Sequence, residues 1–535
     1  MNKKNIIALL LIVFSLMGGL AELYGWLLPT ISWPFTVARE MPILSLGVED
    51  LPLPLVEGRF LWFGWLCMLV LFVAGLYLLL RKRTALRLPP SMAKSWKRFR
   101  SLRRGYWSLL ILVGLVLLAA MDQCIVGNRA LLVQYDGRWY MPAFTRDVLP
   151  GSTFGLTGND AHAEADYRKL KEKVGKEGGP DMVIMPLIPY NPTMDAVPFP
   201  YEALSTRNGL LYDTDGYTLY NGLASRMYAD GSTHLRVRYR RGLPDGHVQG
   251  WDAAGNQVYS ARYKEGKLVA TSENYVVAGG DVEAFLALTD ADEMYRVYYH
   301  PAPPLKGGHL LGTNSQGADI AAYLYGGLQV NIKAALIYLP IVFSIGLTLG
   351  MLMGYFGGKV DLLTQRVIEV FSQLPFLFVV MILSDLVPIE LRGMVLILGL
   401  LSLFGWMHIT YLVRTATMKE KTREYVEAAR VMGAGTFHIL RRHILPNMTS
   451  IVVTILPFSI AAVVLSLASL DYMGFGLPDT YAGWGRLLND GLTKLASPWV
   501  VSSAFGALVI TLTLVTFIGE AVREAVDPHR HTYYE

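Results

Sequence analysis

Eight long apolar stretches dominate the chain, with polar segments between them. They lie near residues 6–28, 60–80, 106–122, 328–354, 364–385, 392–413, 449–470 and 499–519. A helix that crosses a bilayer needs about 20 mostly apolar residues, so the pattern predicts an all-α polytopic membrane protein with about eight transmembrane helices. The composition agrees, because 53% of the residues are hydrophobic and 17% are charged, against roughly 25% charged in an ordinary soluble domain.

The distribution of basic residues predicts the orientation of the chain. Residues 81–105 contain ten Lys or Arg residues and no Asp or Glu, and short loops of this kind stay in the cytoplasm. Counting spans outward from this loop predicts that both termini and residues 414–448 are cytoplasmic, and that residues 123–327 are extracytoplasmic. We interpret the basic run as a topology signal beside membrane lipid and expect no nucleic-acid partner.

The segment after the third apolar stretch has the pattern of β-structure. It opens with LLVQYDGRWYMPAF, in which Asp136-Gly137 marks a hairpin turn. Residues 231–242 (GSTHLRVRYRRG) and 255–266 (GNQVYSARYKEG) form a repeat with an offset of 24 positions, so stacked hairpins are predicted over about 209–270. The repeats resemble MORN and YwqK-like hairpins, which mostly serve as scaffolds or docking surfaces. We find neither a catalytic constellation nor the spacing of a metal site here.

The predicted cytoplasmic loop before the seventh apolar stretch has the pattern of two short helices around a glycine turn. Thr422 is predicted to cap the first helix, whose early turns carry acidic residues that the helix dipole favours. Gly433 and Gly435 are predicted to allow a sharp turn with positive φ. The second helix is predicted over about 436–443, ending before Pro446.

This loop resembles the EAA loop of ABC importer permeases. The similarity rests on Glu427-Ala428-Ala429, three further residues, Gly433, and then Leu445-Pro446. In that family the loop forms a coupling helix that docks into a groove on a separate ATP-binding subunit. The resemblance implies that the ATPase-coupling residues are Glu427, Ala428, Ala429, Gly433, His443, Leu445 and Pro446. An ordinary amphipathic loop between two spans is the alternative interpretation.

The resemblance extends over residues 106–130 and 300–535. GHLLGTNSQGADIAAYLYG (308–326) is similar to the motif HxLGTDxxGRDxxxRxxYG of dipeptide and oligopeptide permeases, with Asn314 and Ala318 in place of Asp and Arg. DYMGFGLPDTYAGWGRLL (471–488) is similar to their external loop. Together with RRGYWSLLILVGL and IGEAVREAVDP, these motifs make the chain most similar to the Yej-type permeases for peptides and microcin C.

The resemblance also implies a division of the chain around a six-helix importer permease core. It assigns two additional helices and the basic loop to 1–105, the first core helix to 106–122, an inserted extracytoplasmic β-rich repeat domain to 123–300, and the MetI-like core to 301–535.

Two groups of residues within the apolar stretches suggest roles in the membrane. Gly346, Gly350 and Gly354 form GxxxGxxxG, which predicts a face for close helix packing. Glu369 and Gln373 lie one turn apart, and a carboxylate at this depth is a candidate for the translocation path. Glu369 is equally well explained as a helix-end carboxylate paired with Arg366, and the two interpretations stay open.

The sequence contains no GxxxxGK[ST] phosphate-binding loop. We therefore expect a non-catalytic permease subunit without a cofactor of its own, whose ATP and Mg are bound by the partner ATPase. The resemblance implies four further partners or substrates: an ATP-binding subunit, a second permease subunit, an extracytoplasmic solute-binding protein and a peptide. It also implies a location in the bacterial cytoplasmic (inner) membrane. The alternative function is a membrane-anchored adhesion or sensor protein whose external repeats bind a partner.

Overall fold

The computed structural model describes residues 3–40, 46–47, 59–80, 90–156, 161–177, 180–195, 199–228, 233–252, 256–271, 294–388 and 393–526. Residues 81–89 of the predicted basic loop and 272–293 of the predicted insert lie outside the described residues. The chain forms two compact units. The first comprises Met1–Asp195, Ala322–Leu495 and Val501–Glu535, and the second comprises Ala196–Ala321 and Ala496–Val500.

Helices make up most of the first unit. They are α1 (Lys3–Tyr24), α2 (Trp33–Glu40), α3 (Trp62–Leu80), α4 (Pro90–Ser101), α5 (Arg103–Ala119), α6 (Tyr167–Glu177), α7 (Ile320–Phe356), α8 (Gly358–Gln373), α9 (Phe376–Leu386), α10 (Met394–Glu420), α11 (Glu424–Val431), α12 (Thr436–Ile439), α13 (Thr449–Met473), α14 (Trp484–Thr493) and α15 (Pro498–Val526). Between α12 and α13 lie a π turn, Leu440–Ile444, and a short helical turn, Leu445–Asn447.

Six of the described helices are long and apolar enough to cross a membrane: α1, α3, α7, α10, α13 and α15. The number rises to eight if each of two bent pairs counts as one span. In the first pair, Lys94–Ser101 meets α5 at 94°, and in the second α8 meets α9 at 80°. The prediction of a mostly helical protein with several membrane-spanning helices is confirmed.

A proline lies at the bend between α8 and α9. Leu374 has an extended backbone with ψ 131°, and Pro375 follows as the residue that precedes α9. A proline ring disfavours helical backbone in the residue before it and supplies no N–H to continue the helix. The apolar stretch near 364–385 therefore forms parts of two helices with a bend at this point.

The first unit also contains a small antiparallel sheet. Its strands are β3 (Leu132–Tyr135), β4 (Arg138–Tyr140) and β5 (Met182–Ile184), in the order β4-β3-β5, and a separate two-residue pair joins β1 (Leu46–Gly47) to β2 (Arg59–Phe60). Asp136 and Gly137 connect β3 to β4 with φ values of +49° and +71°. Two positive φ values are typical of a type I′ turn, so the predicted hairpin is confirmed.

The second unit is built on an eight-stranded antiparallel sheet. Its strands are β6 (Tyr201–Arg207), β7 (Leu210–Tyr212), β8 (Gly222–Met227), β9 (Thr233–Arg240), β10 (Leu243–Trp251), β11 (Gln257–Lys264), β12 (Lys267–Thr271) and β13 (Met294–Val297). They lie in the order β12-β11-β10-β9-β8-β13-β6-β7. The five consecutive strands β8 to β12 form a meander at one edge.

The sequence repeat corresponds to two similar hairpins within this meander. Arg241-Gly242 joins β9 to β10, and Glu265-Gly266 joins β11 to β12, all four residues having positive φ. Tyr239 and Tyr263, which occupy equivalent places before the two turns, are both buried in the core of the sheet. Each repeat therefore contributes one turn and one buried tyrosine.

Candidate functional site

The loop between α10 and α13 folds as a compact helical pair. Its interior is apolar and contains Val426, Ala429, Ile439 and Ile444, which belong to the large core cluster of the first unit. Gly433 turns the chain between α11 and α12 with φ +82°, a conformation that favours glycine. The loop thus has a packed interior of its own and is held to the core by it.

Three local predictions for this loop are wrong. Thr422 does not cap α11, because its hydroxyl donates to the carbonyl of Lys419 (3.0 Å) and Arg423 takes the cap position without a side-chain bond. Gly435 has φ −65°, so only Gly433 uses the left-handed region. The second helical segment continues through Pro446. A π turn ends at Ile444, two residues before the proline, and this wider turn relieves the clash of the proline ring with the preceding turn.

The tip of the loop exposes an apolar patch. Val431, Met432 and Phe437 are 88%, 80% and 73% exposed, and the exposed side chains of Arg430, Arg441 and Arg442 accompany them. Of the residues predicted to couple, Glu427, Ala428, Gly433 and Pro446 are exposed, His443 and Leu445 are half-buried, and Ala429 is buried. Sequence reasoning missed the three apolar residues, because the sequence alone does not separate them from the apolar residues of the loop's interior.

The base of the loop contacts α10 at two points. Tyr425 donates a hydrogen bond from its hydroxyl to Glu420, and Thr417 donates to the sulfur of Met448 at 3.4 Å. Burial raises the pKa of the Tyr425 hydroxyl, and the hydrogen bond to Glu420 acts in the same direction. These contacts fix both ends of the loop against one membrane helix.

The three spaced glycines lie where α7 packs against α10. A Cβ built on Gly346 would lie 2.7 Å from Ile409, one on Gly350 would lie 2.7 Å from Val413, and one on Gly354 would lie 2.6 Å from Thr417. Real Cβ atoms essentially never come this close to another heavy atom. We call this contact the glycine seam, and at Thr417 it meets the base of the loop.

Charged residues connect α8 to its surroundings. Arg414 on α10 donates from Nη2 to Asp361 in the first turn of α8 at 2.6 Å. Glu369 accepts a hydrogen bond from Arg366 at 2.6 Å, three residues earlier in the same helix, and Gln373 is exposed. The structure therefore shows the pairing that one of the two interpretations of Glu369 expected.

The segment after α13 is organised by a buried carboxylate, Asp471. Its Oδ1 accepts the backbone N–H of Leu477 at 2.9 Å. A Cβ on Gly483 would lie 2.3 Å from Oδ2 of Asp471, and one on Gly485 would lie 1.9 Å from the carbonyl oxygen of Ala468. The glycines of the motif DYMGFGLPDTYAGWGRLL therefore leave room for the chain to wrap around Asp471.

In the second unit, the segment before α7 is held by buried polar pairs. His309 and Asp319 lie 2.8 Å apart (Nδ1 to Oδ2) and are both buried. Asn314 accepts the backbone N–H groups of Gln316 (3.0 Å) and Ala318 (2.8 Å) through Oδ1. Asparagine thus supplies the acceptor oxygen that an aspartate would offer at this position.

The chain matches known transport proteins over most of its length. Residues 346–531 match the family model described as binding-protein-dependent transport system inner membrane component. The chain is also 30% identical over 446 residues to the inner membrane ABC transporter permease protein YejE of Escherichia coli (strain K12), covering 83% of this chain and 99% of that protein. The chain belongs to the YejE-type ABC transporter permeases.

Two further relatives place this YejE-type permease among its neighbours. The peptidoglycan transport system permease protein YejE of Agrobacterium fabrum is 26% identical over 443 residues, covering 82% of this chain and 94% of that protein. The oligopeptide transport system permease protein OppC of Haemophilus influenzae is 32% identical over 228 residues, but covers 42% of this chain and 72% of that protein. The resemblance predicted from the motifs is confirmed, and the similarity to YejE extends well beyond the part shared with OppC.

Among the described residues, no group of three or more His, Cys, Asp or Glu side chains is arranged to hold a metal ion.

Proposed function

We propose that the chain is the membrane-spanning permease subunit of an ATP-driven importer of peptides, including modified peptides such as microcin C or peptidoglycan fragments. Relatives named as oligopeptide and peptidoglycan transport permeases support the substrate class. A permease of this type binds no nucleotide itself. It works with an ATP-binding subunit, a second permease subunit and an extracytoplasmic solute-binding protein.

The observation that most directly supports this proposal is the apolar tip of the loop between α10 and α13. A solvent-exposed patch of large apolar side chains beside arginines has the character of a protein-docking surface, and the tip lies next to Glu427, Ala428 and Gly433 of the EAA-like motif. We propose that this surface binds the ATP-binding subunit. Leu445, Pro446 and His443 lie in the part of the loop that leads back to α13. The buried interior of the loop then makes it a stiff element that moves as one piece.

The contacts at the base of the loop suggest how its movement reaches the membrane. Thr417 contacts both Met448 in the loop and the position of Gly354 on α7. A displacement of the loop would therefore act on α10 and, through the glycine seam, on α7. Tightly packed helices transmit such shifts because their interface cannot deform smoothly. We propose that this linkage couples ATP-driven closure of the partner to alternating access.

The proposed topology has eight spans: the six long helices, α5, and the bent pair of α8 and α9 counted as one, with the basic segment 81–105 in the cytoplasm. Both termini and the 414–448 loop are then cytoplasmic, and the segment 123–327 is extracytoplasmic, where its MORN or YwqK-like hairpins would lie on the side of the solute-binding protein. Glu369 and Gln373 are kept as proposed contributors to the translocation path, because both side chains are at least partly exposed on α8.

A docking test separates this proposal from a receptor or adhesion role. The variant Phe437→Asp places a charge in the apolar tip, and Leu187→Asp, at a side chain that is 79% exposed but distant in sequence from the loop, serves as the control. Each full-length chain is purified from gently solubilised membranes, and the co-purifying proteins and ATP hydrolysis are measured. We expect an ATP-binding subunit with the natural chain and the control, and its loss from Phe437→Asp. Equal retention in both variants would contradict the docking surface, and absence of an ATPase from all three would contradict the importer.

A further inference from the structure

The short helix α4 turns sharply into the helix α5. Only Leu102 separates the two helices, and the axis of Lys94–Ser101 meets that of α5 at 94°. In the proposed topology, on which this inference rests, α5 enters the bilayer from the cytoplasm. Since spans tilt by only about 20° on average, α4 then runs along the cytoplasmic surface of the membrane.

Packing against α15 fixes this corner. The side chain of Phe99 is 4% exposed and lies in an apolar cluster with Ala521 and Ala525 of α15. At the first turn of α5, a Cβ built on Gly105 would lie 2.1 Å from Cβ of Ala521. Both α4 and α5 are therefore seated on α15, and the right angle between them is part of the packed structure.

The side of α4 that faces away from Phe99 is basic. At about 100° per residue, the side chains of Lys94 and Lys97 project about 140–160° around the helix from Phe99, and both are exposed. Residues 81–105 contain no Asp or Glu, so this segment supplies no carboxylate of its own to neutralise them. Among the described side chains of α4 and of the first turn of α5, the exposed cations are Lys94, Lys97, Arg100, Arg103 and Arg104.

Two tryptophans indicate that the corner lies at the level of the lipid headgroups. Trp96 on α4 is 50% exposed, and Trp107, in the second turn of α5, is 61% exposed. Tryptophan is enriched where a membrane meets water, because its ring is apolar while its N–H can stay hydrated. Each arm of the corner therefore presents a side chain suited to this interface, next to the cations.

We propose that α4 is an interfacial helix that binds the headgroups of anionic phospholipids in the cytoplasmic leaflet. Lys94 and Lys97 contact the phosphates, and the arginines at the corner extend the same cationic surface. This leaflet carries a negative surface potential, and each Lys or Arg close to it strengthens binding roughly fivefold. Because Phe99 joins α4 to α15, the bound lipids also hold the cytoplasmic end of α15.

An acidic surface of the ATP-binding subunit is the rival partner. The bend favours lipid, because it holds the cations at the level at which α5 enters the bilayer, where lipid phosphates surround the chain. The exposed rings of Trp96 and Trp107 favour lipid as well, since they match the interfacial layer of a membrane.

The first test compares two pairs of lysines. Lys94→Gln with Lys97→Gln removes two charges from α4, and Lys171→Gln with Lys176→Gln removes two from exposed positions of α6, which is extracytoplasmic in the proposed topology. Each full-length chain, delipidated in mild detergent, is titrated with phosphatidylglycerol, and the rise in melting temperature reports binding. We expect the α4 pair to need roughly 25-fold more lipid for half of the effect, because two cations contribute roughly fivefold each, and the α6 pair to match the natural chain. A lipid requirement that is unchanged in the α4 pair, or raised equally in both pairs, would overturn the proposal.

Phosphatidylcholine and inorganic phosphate are the chemical controls. Neither should stabilise the natural chain as phosphatidylglycerol does, because the first has no net charge and the second has no acyl chains to keep it at the interface. Equal stabilisation by either one would overturn the proposal, and so would loss of a co-purifying ATP-binding subunit from the α4 pair alone. The titrations require neither ATP hydrolysis nor transport, so their failure would leave the importer proposal in place.

The second test measures the depth of α4 and leaves its lysines in place. The chain has two cysteines, so in a Cys67→Ser, Cys124→Ser background the variant Ser101→Cys places a single thiol at the exposed end of α4, where it is labelled with bimane. In reconstituted bilayers, a nitroxide on the lipid headgroup should quench the label several-fold more strongly than a nitroxide at the end of an acyl chain. Weak quenching by both would show that α4 lies away from the membrane, and stronger quenching from the acyl chain would show that it lies among the lipid tails. Either result would overturn the proposal.

Discussion

The glycine seam predicts that one methyl group at Gly350 will separate two membrane helices. In the variant Gly350→Ala, the new Cβ would lie 2.7 Å from Cβ of Val413 and 2.8 Å from the carbonyl oxygen of Thr410. Ordinary contact begins near 3.4 Å, so α7 and α10 must move apart by about 0.6–0.7 Å. The carbonyl belongs to the backbone and cannot rotate away as a side chain would.

The expected cost follows from the way membrane helices associate. Helices in lipid are held largely by close packing, which a small separation weakens along the whole contact. Overpacking of this kind costs about 1–3 kcal/mol. Gly399 provides a control, because it lies in α10 and a Cβ there would meet no heavy atom within 4 Å. Gly399→Ala should be neutral or stabilise by about 0.4–1 kcal/mol, as glycine loses backbone freedom on folding.

The assay is thermal or SDS-induced unfolding of the full-length protein in detergent, with both variants measured beside the natural chain. We expect a clear loss of stability in Gly350→Ala and none in Gly399→Ala. A Gly350→Ala protein as stable as the natural chain would refute the close approach of the two helices. An equal loss in both variants would show that any alanine in these helices is harmful and would refute the seam as the cause.

Three further predictions concern other parts of the molecule. The Asp195 carboxylate is 8% exposed and accepts hydrogen bonds from both terminal nitrogens of Arg168, so Asp195→Asn should lower the free energy of unfolding by about 3–5 kcal/mol. The Asp479 carboxylate is 93% exposed, so Asp479→Asn should lower it by less than about 1 kcal/mol in the same melting assay. Gly485→Ala should fail to fold or melt far earlier, because its Cβ would lie 1.9 Å from the carbonyl of Ala468. The second unit should lose stability as the pH falls below 4.5, and Glu202→Gln should remove that part of the pH slope.

The sign of the pH effect follows from the surroundings of Glu202. Burial alone would raise its pKa, but hydrogen bonds from Lys306 and Tyr298 outweigh burial and hold the pKa below its ordinary value of 4.5. The folded protein therefore binds this proton less readily than the unfolded chain does. The stabilisation is complete above the ordinary pKa and is lost as the pH falls through the lowered one. A slope that Glu202→Gln leaves unchanged would assign the effect to another group.

Features set by local chemistry were predictable from the sequence. A segment that crosses a bilayer must form an α-helix or belong to a closed β-barrel. The apolar stretches of about 20 residues therefore indicated where the long helices lie. Asp136-Gly137 specified its turn because both residues tolerate positive φ. Gly433 specified the turn between α11 and α12 for the same reason.

Features that depend on distant partners were not predictable. Thr422 is a local exception, because it had the right identity for a helix cap but its hydroxyl donates to the carbonyl of Lys419 and accepts no backbone N–H of α11. The role of Asp471 depends on two glycines, Gly476 and Gly483, that only the folded chain brings to it. Residues up to Asp195 belong to the first unit, so the predicted insert of 123–300 contributes residues to both units. Such contacts are properties of the tertiary structure and leave no periodic signal.

The meander of hairpins at the edge of the eight-stranded sheet has an evolutionary consequence. Each 24-residue repeat carries its own turn and its own core tyrosine, and among the described strands β9 to β12 pair only with their neighbours in the chain. Duplication of one repeat would therefore add two strands at that edge and leave the pairing of β13, β6 and β7 unchanged. The number of strands in this sheet can therefore change by whole hairpins between related proteins, while the membrane helices evolve under separate constraints.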